Sequence, residues 1–378
     1  MSRRFLFTIL TLLVIALVAG AAIFLAKGYT FSPQEKRIVG TGIINVTSEP
    51  NAASVFIDGH LTTATNATIA SLSPKSYSVR IIKEGFIPWE KAVEVKEGVV
   101  TEVKVVLFPA IPTIYPLTFT SVANPSLSPD GSKLAYVVPD VATAGKKVGV
   151  WVWTMVRNQP IAFARSSEPH QIASNTTADF SKATLKWSPD SKQVLATVGN
   201  NNYLLDSENM DNNPRDITAI LEPTLKGWED DLDAKKAVLV ASITDQRLNK
   251  IASDSAILNW SPDETKFMAR PPSPDGQANG GQPLVKDVKV YDLEDGKEYS
   301  LPAAKAHIWL PESRHIVLVE DGAISVVDFD GSNKAIIYAG KFEDSFVFLW
   351  PDSSRFVIIS SFPTPTASEP NFYGVNLR

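Results

Sequence analysis

The spacing of apolar and polar residues divides the chain into three regimes. Phe5 to Ala26 reads FLFTILTLLVIALVAGAAIFLA, 22 residues without a charge, Pro, Asn or Gln. At about 1.5 Å per residue such a helix is roughly 33 Å long, enough for a hydrocarbon core of about 30 Å. From Gly40 the period changes to two. Tyr77, Val79 and Ile81 alternate with Ser76, Ser78 and Arg80, and the alternation returns at Val93 and Val95 and at Val103, Val105 and Leu107. One apolar face with period two predicts a small antiparallel sheet or sandwich. In the third regime short apolar runs recur with little alternation: KLAYVV, QVLATV, KFMAR, HIVLVE and RFVIIS. Such runs suit strands covered on both faces.

Each of those runs follows a corner of similar composition. SLSPDGSKL (Ser126–Leu134), KWSPDSKQV (Lys186–Val194) and NWSPDETKF (Asn259–Phe267) share the triplets Ser128-Pro129-Asp130, Ser188-Pro189-Asp190 and Ser261-Pro262-Asp263. WLPES at Trp309–Ser313 and LWPDS at Leu349–Ser353, with Pro351 and Asp352, are weaker copies. KGWEDDLDAKKAVLV, Lys226–Val240, keeps a Trp, an acidic stretch and an apolar run, and counts as a sixth. Proline fixes φ for the first corner of a turn, and aspartate bonds its own backbone two residues on, so the triplet predicts a structural hairpin corner. From Thr113, 266 residues over six units give about 44 each, the length of a four-stranded propeller blade. Only 32 positions separate Trp228 from Trp260, so the third blade is expected to have a lost or shortened outer strand. The last unit supplies three strands, and TIYPLTFT (Thr113–Thr120) is expected to pair with it as the outer strand, where Pro116 is tolerated.

These regimes give a domain plan. Residues 1–27 form a cytoplasmic tip and signal anchor, 28–39 a stalk, 40–109 a small β domain and 110–378 a β-propeller. Arg3 and Arg4 before the apolar run place the N-terminus in the cytoplasm and the rest outside it. The small residues Ala19–Ala21 offer cleavage as an alternative, but the apolar run continues through AIFLA to Lys27. The fold class is all-β apart from one transmembrane helix.

INVTSEPNAASVFIDG (Ile44–Gly59), YSVRIIKEGF (Tyr77–Phe86) and VEVKEGVVTEVKVVL (Val93–Leu107) resemble the PEGA domain, a small β module of bacterial and archaeal surface proteins. The resemblance implies a binding or spacer module without catalytic residues. The family usually has Gly-Thr-Pro after the Asp-Gly turn, whereas this chain reads HLTTATNAT, so a rebuilt loop is expected there. LSPDGSKLAYV, WSPDSKQVLATV and WSPDETKFMAR resemble the TolB-type six-bladed propeller. That resemblance specifies the fold far more than the function.

Candidate chemistry is sparse. A net charge of -5 supplies no basic footprint for nucleic acid, and with no cysteine there is neither a disulfide framework nor a Cys-based metal site. The four histidines, His60, His170, His307 and His315, lie in separate segments; His307 and His315 flank one corner and are expected to approach each other, but no third ligand accompanies them. No G-x-S-x-G elbow, phosphate loop or dinucleotide fingerprint occurs. Trp151 and Trp153 alternate with Val150 and Val152, which predicts packing between blades, while Trp89 beside Pro88 is expected in a loop. The sequence therefore points to a membrane-anchored, non-enzymatic surface protein without cofactor or metal, binding an envelope protein or cell-wall glycan. The alternative is a propeller hydrolase or lyase with its site in the central channel.

Overall fold

The computed structural model describes residues 3–26, 29–32, 37–141, 145–155, 168–255, 257–270, 287–343, 346–362 and 369–378. It divides into two compact units, Met1–Ile111 and Pro112–Arg378.

In the first unit helix α1 covers Arg3–Ala26. Among the described residues no helix is long and apolar enough to cross a membrane. From the expected stalk into Gly40, two short strands, Tyr29–Ser32 and Arg37–Gly40, pair antiparallel. The module beyond it is built from two sheets. Ser54–Ile57 lies between His60–Ala64 and Ser76–Ile82, with Trp89–Glu94 at the far edge. Gly42–Glu49 is flanked by Ala67–Leu72 and Val100–Val106. The second sheet corrects the antiparallel expectation, because Gly42–Glu49 and Val100–Val106 run parallel. Alternation alone does not distinguish the two directions. Ile44, Val46, Val55, Val79, Ile81, Val103 and Val105 form the shared core, as the period of two requires. Trp89 joins that core at 8% exposure and is no loop residue. Asp58 and Gly59 both take positive φ, 48° and 81°, in the two-residue turn between Ile57 and His60.

The second unit holds five four-stranded antiparallel sheets among the described residues. Sheet I comprises Ala123–Leu127, Lys133–Val138, Gly149–Thr154 and His170–Ser174. Sheet II comprises Thr184–Trp187, Gln193–Val198, Asn201–Asp206 and Arg215–Asp216. Sheet III comprises Ile257–Trp260, Lys266–Arg270, Lys289–Asp292 and Glu298–Ser300. Sheet IV comprises Ala306–Trp309, His315–Glu320, Ala323–Asp328 and Ala335–Ala339. Sheet V comprises Val347–Leu349, Arg355–Ser360, Asn371–Asn376 and, as its outer strand, Ile114–Pro116.

Each blade buries both faces, which explains the unbroken apolar runs. Val150 and Val152 of sheet I face Trp187, Val194 and Leu205 of sheet II. Trp153 and Tyr136, on the opposite face, pack with Trp350, Val357 and Phe372 of sheet V. Sheets III and IV share Met268, Val290, Trp309, Ile316 and Leu318. The circuit closes through the early strand: Ile114, Tyr115 and Pro116 pair with Val375, Gly374 and Tyr373. Gly374 makes room for this, since a Cβ there would come within 2.7 Å of the Tyr115 ring.

Between sheets II and III the expected six-blade count fails. Lys226–Val240, read as a blade, lies within helix α2, Leu221–Ala241, and is followed by α3, Gln246–Asp254. Leu221, Leu225, Trp228 and Leu232 recur at spacings of four and three, a helical period, and Glu222 sits in the positive first turn. Asp245 caps α3 by accepting from the amides of Arg247 (2.8 Å) and Leu248 (3.1 Å). Its apolar face, Leu248 and Ala252, then covers Phe267, Ala269 and Tyr291 of sheet III.

Candidate binding surface

The three Ser-Pro-Asp corners form one repeated hydrogen-bonded unit. The carbonyls of Ser128, Ser188 and Ser261 accept from the amides of Gly131 (2.8 Å), Ser191 (3.0 Å) and Glu264 (2.8 Å). Those fourth residues take φ of 69°, 61° and 60°. Each serine hydroxyl donates to the aspartate of its own triplet, Asp130, Asp190 or Asp263, at 2.6 Å. The same hydroxyl accepts from the amide five residues on: Lys133 (2.8 Å), Gln193 (2.9 Å) and Lys266 (3.0 Å). Pro129, Pro189 and Pro262 occupy the first corner, which demands no donor. Burial pushes the carboxyls of Asp130 and Asp263 upward, but hydrogen bonds from Ser128 and Ser132, and from Ser261 and Thr265, outweigh it. Asp190 is likewise held below the ordinary aspartate range, chiefly by Ser188. A general acid needs the opposite shift.

Two later corners lack the serine and use other partners. Leu310 and Trp350 replace it, and their carbonyls each accept from a serine amide, Ser313 and Ser353, at 2.9 Å. Pro351 keeps the first corner of its turn, and Asp352 accepts from the Ser354 amide at 2.8 Å. Glu312, whose turn has Leu310 where the other corners have the bonding serine, lies 2.6 Å from His315 Nδ1 and accepts from Ser353 Oγ at 2.8 Å. Asp328 Oδ1 is 3.4 Å from the other ring nitrogen. Burial raises the Glu312 carboxyl, yet its bonds with His315 and Ser353 hold it below the usual range. His307 instead faces the Pro302 carbonyl at 2.8 Å, and burial holds its imidazole below the ordinary histidine value. The two rings serve different partners. Among the described residues no group of three His, Asp or Glu could hold a metal.

Bonds between neighbouring corners tie the sheets together. The Asp130 amide donates to Ser191 Oγ at 3.3 Å and the Asp263 amide to Ser313 Oγ at 3.0 Å. Inner-strand tryptophans add a second tie: Trp187 Nε1 donates to the Ser126 carbonyl (2.8 Å), and Trp309 Nε1 to that of Asn259 (3.2 Å). Where α2 and α3 replace a blade, both ties change. Lys235 of α2 donates to the Pro189 carbonyl at 3.1 Å. The buried indole nitrogen of Trp260 has no partner among the described residues.

Beside the closure strand lies an open cleft of about 440 Å³, lined by Phe119, Tyr136, Lys147, Trp151 and Glu168 among others. Phe119 is 76% exposed, whereas Tyr136 is 2% exposed. Tyr136 stands edge-on to Phe372, with ring centroids 5.2 Å apart. Burial pushes its phenol well above the ordinary tyrosine range, so it is a neutral donor. Its hydroxyl has no hydrogen-bond partner among the described residues, and Lys147 and Glu168 have no ion pair among them. Trp151 is fixed by donation from Nε1 to the Lys147 carbonyl at 2.7 Å. Sequence reasoning assigned Trp151 to packing and did not single out the others. They come from separate segments with no shared motif or spacing, so no signal in the sequence marks them.

Residues 41–111 match the PEGA domain. The chain has no detectable relative among curated proteins. Among solved structures it is similar to TolB from Acinetobacter baumannii at 14% identity and a TM-score of 0.24, over 79% of this chain and 59% of that one. It is also similar to the putative TolB from Agrobacterium tumefaciens at 15% identity and a TM-score of 0.22, over 65% of this chain and 76% of that one.

Proposed function

We propose that this is a non-enzymatic, membrane-anchored cell-surface binding or scaffold protein, with the PEGA domain as spacer and the second unit as an interaction platform. The observation that carries it is a contrast in how polar groups are used. The carboxylates of the Ser-Pro-Asp corners are consumed as turn acceptors, whereas the closure cleft leaves the Tyr136 hydroxyl, Lys147 and Glu168 without such partners among the described residues. Unpaired polar groups around aromatic surface are what a binding site offers. The anchor rests on the uncharged run Phe5–Ala26 behind Arg3 and Arg4, and places the β units outside the cytoplasm. Envelope proteins or cell-wall glycan are the partners such a position presents.

The test is retention of the full-length tagged chain, in detergent, by insoluble wall material and by detergent-solubilised envelope proteins. Specific retention by either is expected. Retention by neither, at levels above an unrelated anchored protein, removes this reading.

A further inference from the structure

We infer that the cleft beside the closure strand is a carbohydrate site that takes a pyranose ring of a neutral glycan. This rests on the binding-platform reading above and names its ligand class. A pyranose carries apolar C–H faces and a rim of hydroxyls. The cleft supplies the complement: aromatic surface from Phe119 and Trp151, a neutral donor from Tyr136, and one charge of each sign from Lys147 and Glu168. Its volume of about 440 Å³ falls in the range of small-molecule sites, about 300–1,000 Å³.

The balance of groups argues against other ligands. One cation beside one anion gives the site no net field with which to attract a polyanion or a polycation. An extended peptide would need unpaired backbone along a wall. Here Leu117 already donates its amide to the Phe372 carbonyl at 2.8 Å, and the Thr118 hydroxyl accepts from the Phe372 amide at 2.9 Å. The Leu117 amide is thus closed to a peptide ladder, and the peptide probe below tests the rest of this wall. Tyr136 supplies the fixed polar contact: its ring is held edge-on to Phe372, and its hydroxyl, without a hydrogen-bond partner among the described residues, is placed to bond a ligand hydroxyl in the cleft.

The probes are the β-1,4-linked trimers of N-acetylglucosamine and of glucose, titrated into the full chain in a detergent without a sugar headgroup. A capped ten-residue peptide of Ala, Pro and Thr runs beside them. Saturable binding of at least one trimer is expected. Phe119→Ala and Tyr136→Phe should each weaken it by up to about tenfold, at unchanged Tm, for the loss of one stacking contact or one hydrogen bond. Tyr136→Phe keeps the ring that packs on Phe372, so folding is not at issue. Failure of both trimers to bind at millimolar concentration overturns the inference, as does trimer binding that neither variant alters. Binding of the peptide alone, lost in Phe119→Ala, also overturns it and assigns the cleft to protein. If envelope proteins are retained while no trimer binds, the platform reading stands and only the carbohydrate site falls.

Discussion

Replacing each of three tryptophans with phenylalanine separates a tie that is made from one that is missing. Trp187 and Trp309 donate to inner-strand carbonyls of the preceding sheet at 2.8 and 3.2 Å, while Trp260 has a buried Nε1 with no partner among the described residues. All three substitutions shrink a packed ring. That common cost is on the order of 1–2 kcal/mol, below a full truncation to alanine. At Trp187 and Trp309 a hydrogen bond of about 1 kcal/mol is also lost, giving a total of roughly 2–3 kcal/mol. At Trp260 the substitution removes an unpaired buried donor that costs about 1–3 kcal/mol, so the two terms nearly cancel. Trp260→Phe should therefore be close to neutral, and the other two should lower Tm by roughly 4–12 °C, at about 2–4 °C per kcal/mol for a unit of this size. Urea and thermal unfolding followed by circular dichroism would measure this without relying on the substituted fluorophore. Equal losses at all three positions would refute the reasoning, and so would a larger loss at Trp260.

Deleting residues 113–118 should lower Tm far more than deleting 29–36, because the first removes the outer strand and the Arg355 Nη1 to Tyr115 hydroxyl bond of 2.6 Å; equal Tm values would show that closure does not depend on it. Ser261→Ala should cost about 1–3 kcal/mol by urea unfolding, since it strips one partner from Asp263 and one from the Lys266 amide. Glu312→Gln should destabilise the protein at neutral pH. The folded Glu312 value lies below the unfolded one, so its contribution is full above about pH 4.5 and disappears as pH falls through the folded value. The stability gap between variant and wild type should accordingly close in acid, and a gap that widens there would contradict the assignment. Protease added to intact protoplasts should digest the β units and spare the N-terminus. A soluble form beginning near Ala21 would show cleavage instead.

Much of the second unit was legible because a corner repeats with a fixed physical reason. Ser, Pro and Asp occupy positions of a turn that their side chains bond and pre-shape, and the apolar run that follows demands two covering faces. The closure strand was legible for a similar reason, as an extended segment without a blade of its own. The parallel pair of Gly42–Glu49 with Val100–Val106 was not, because alternation reports the buried face and says nothing of direction. Nor was the cleft. Phe119, Tyr136, Lys147 and Glu168 share no spacing, and only the packing of sheet I beside the closing strand brings them together.

The misread third unit shows what a helical pair can and cannot supply in place of a blade. Its apolar duty transfers readily, since hydrophobic packing is non-directional: Leu248 and Ala252 of α3 cover Phe267 and Tyr291 much as a strand face would. Its polar duty does not transfer. An inner strand offers carbonyls along its edge, and these accept the indole protons of Trp187 and Trp309. Carbonyls inside a helix already accept from amides four residues on, and at the end of α2 the Val240 carbonyl is taken by Asn249 Nδ2 at 2.8 Å and by the Ile243 amide at 3.2 Å. A helix can therefore answer its neighbour's polar groups only through side chains. Lys235 does so for the Pro189 carbonyl, an acceptor in need of a donor. Trp260 presents a donor in need of an acceptor, and no side chain of α2 or α3 meets it. Hence the unpaired indole falls at the one junction between sheets that the helices occupy.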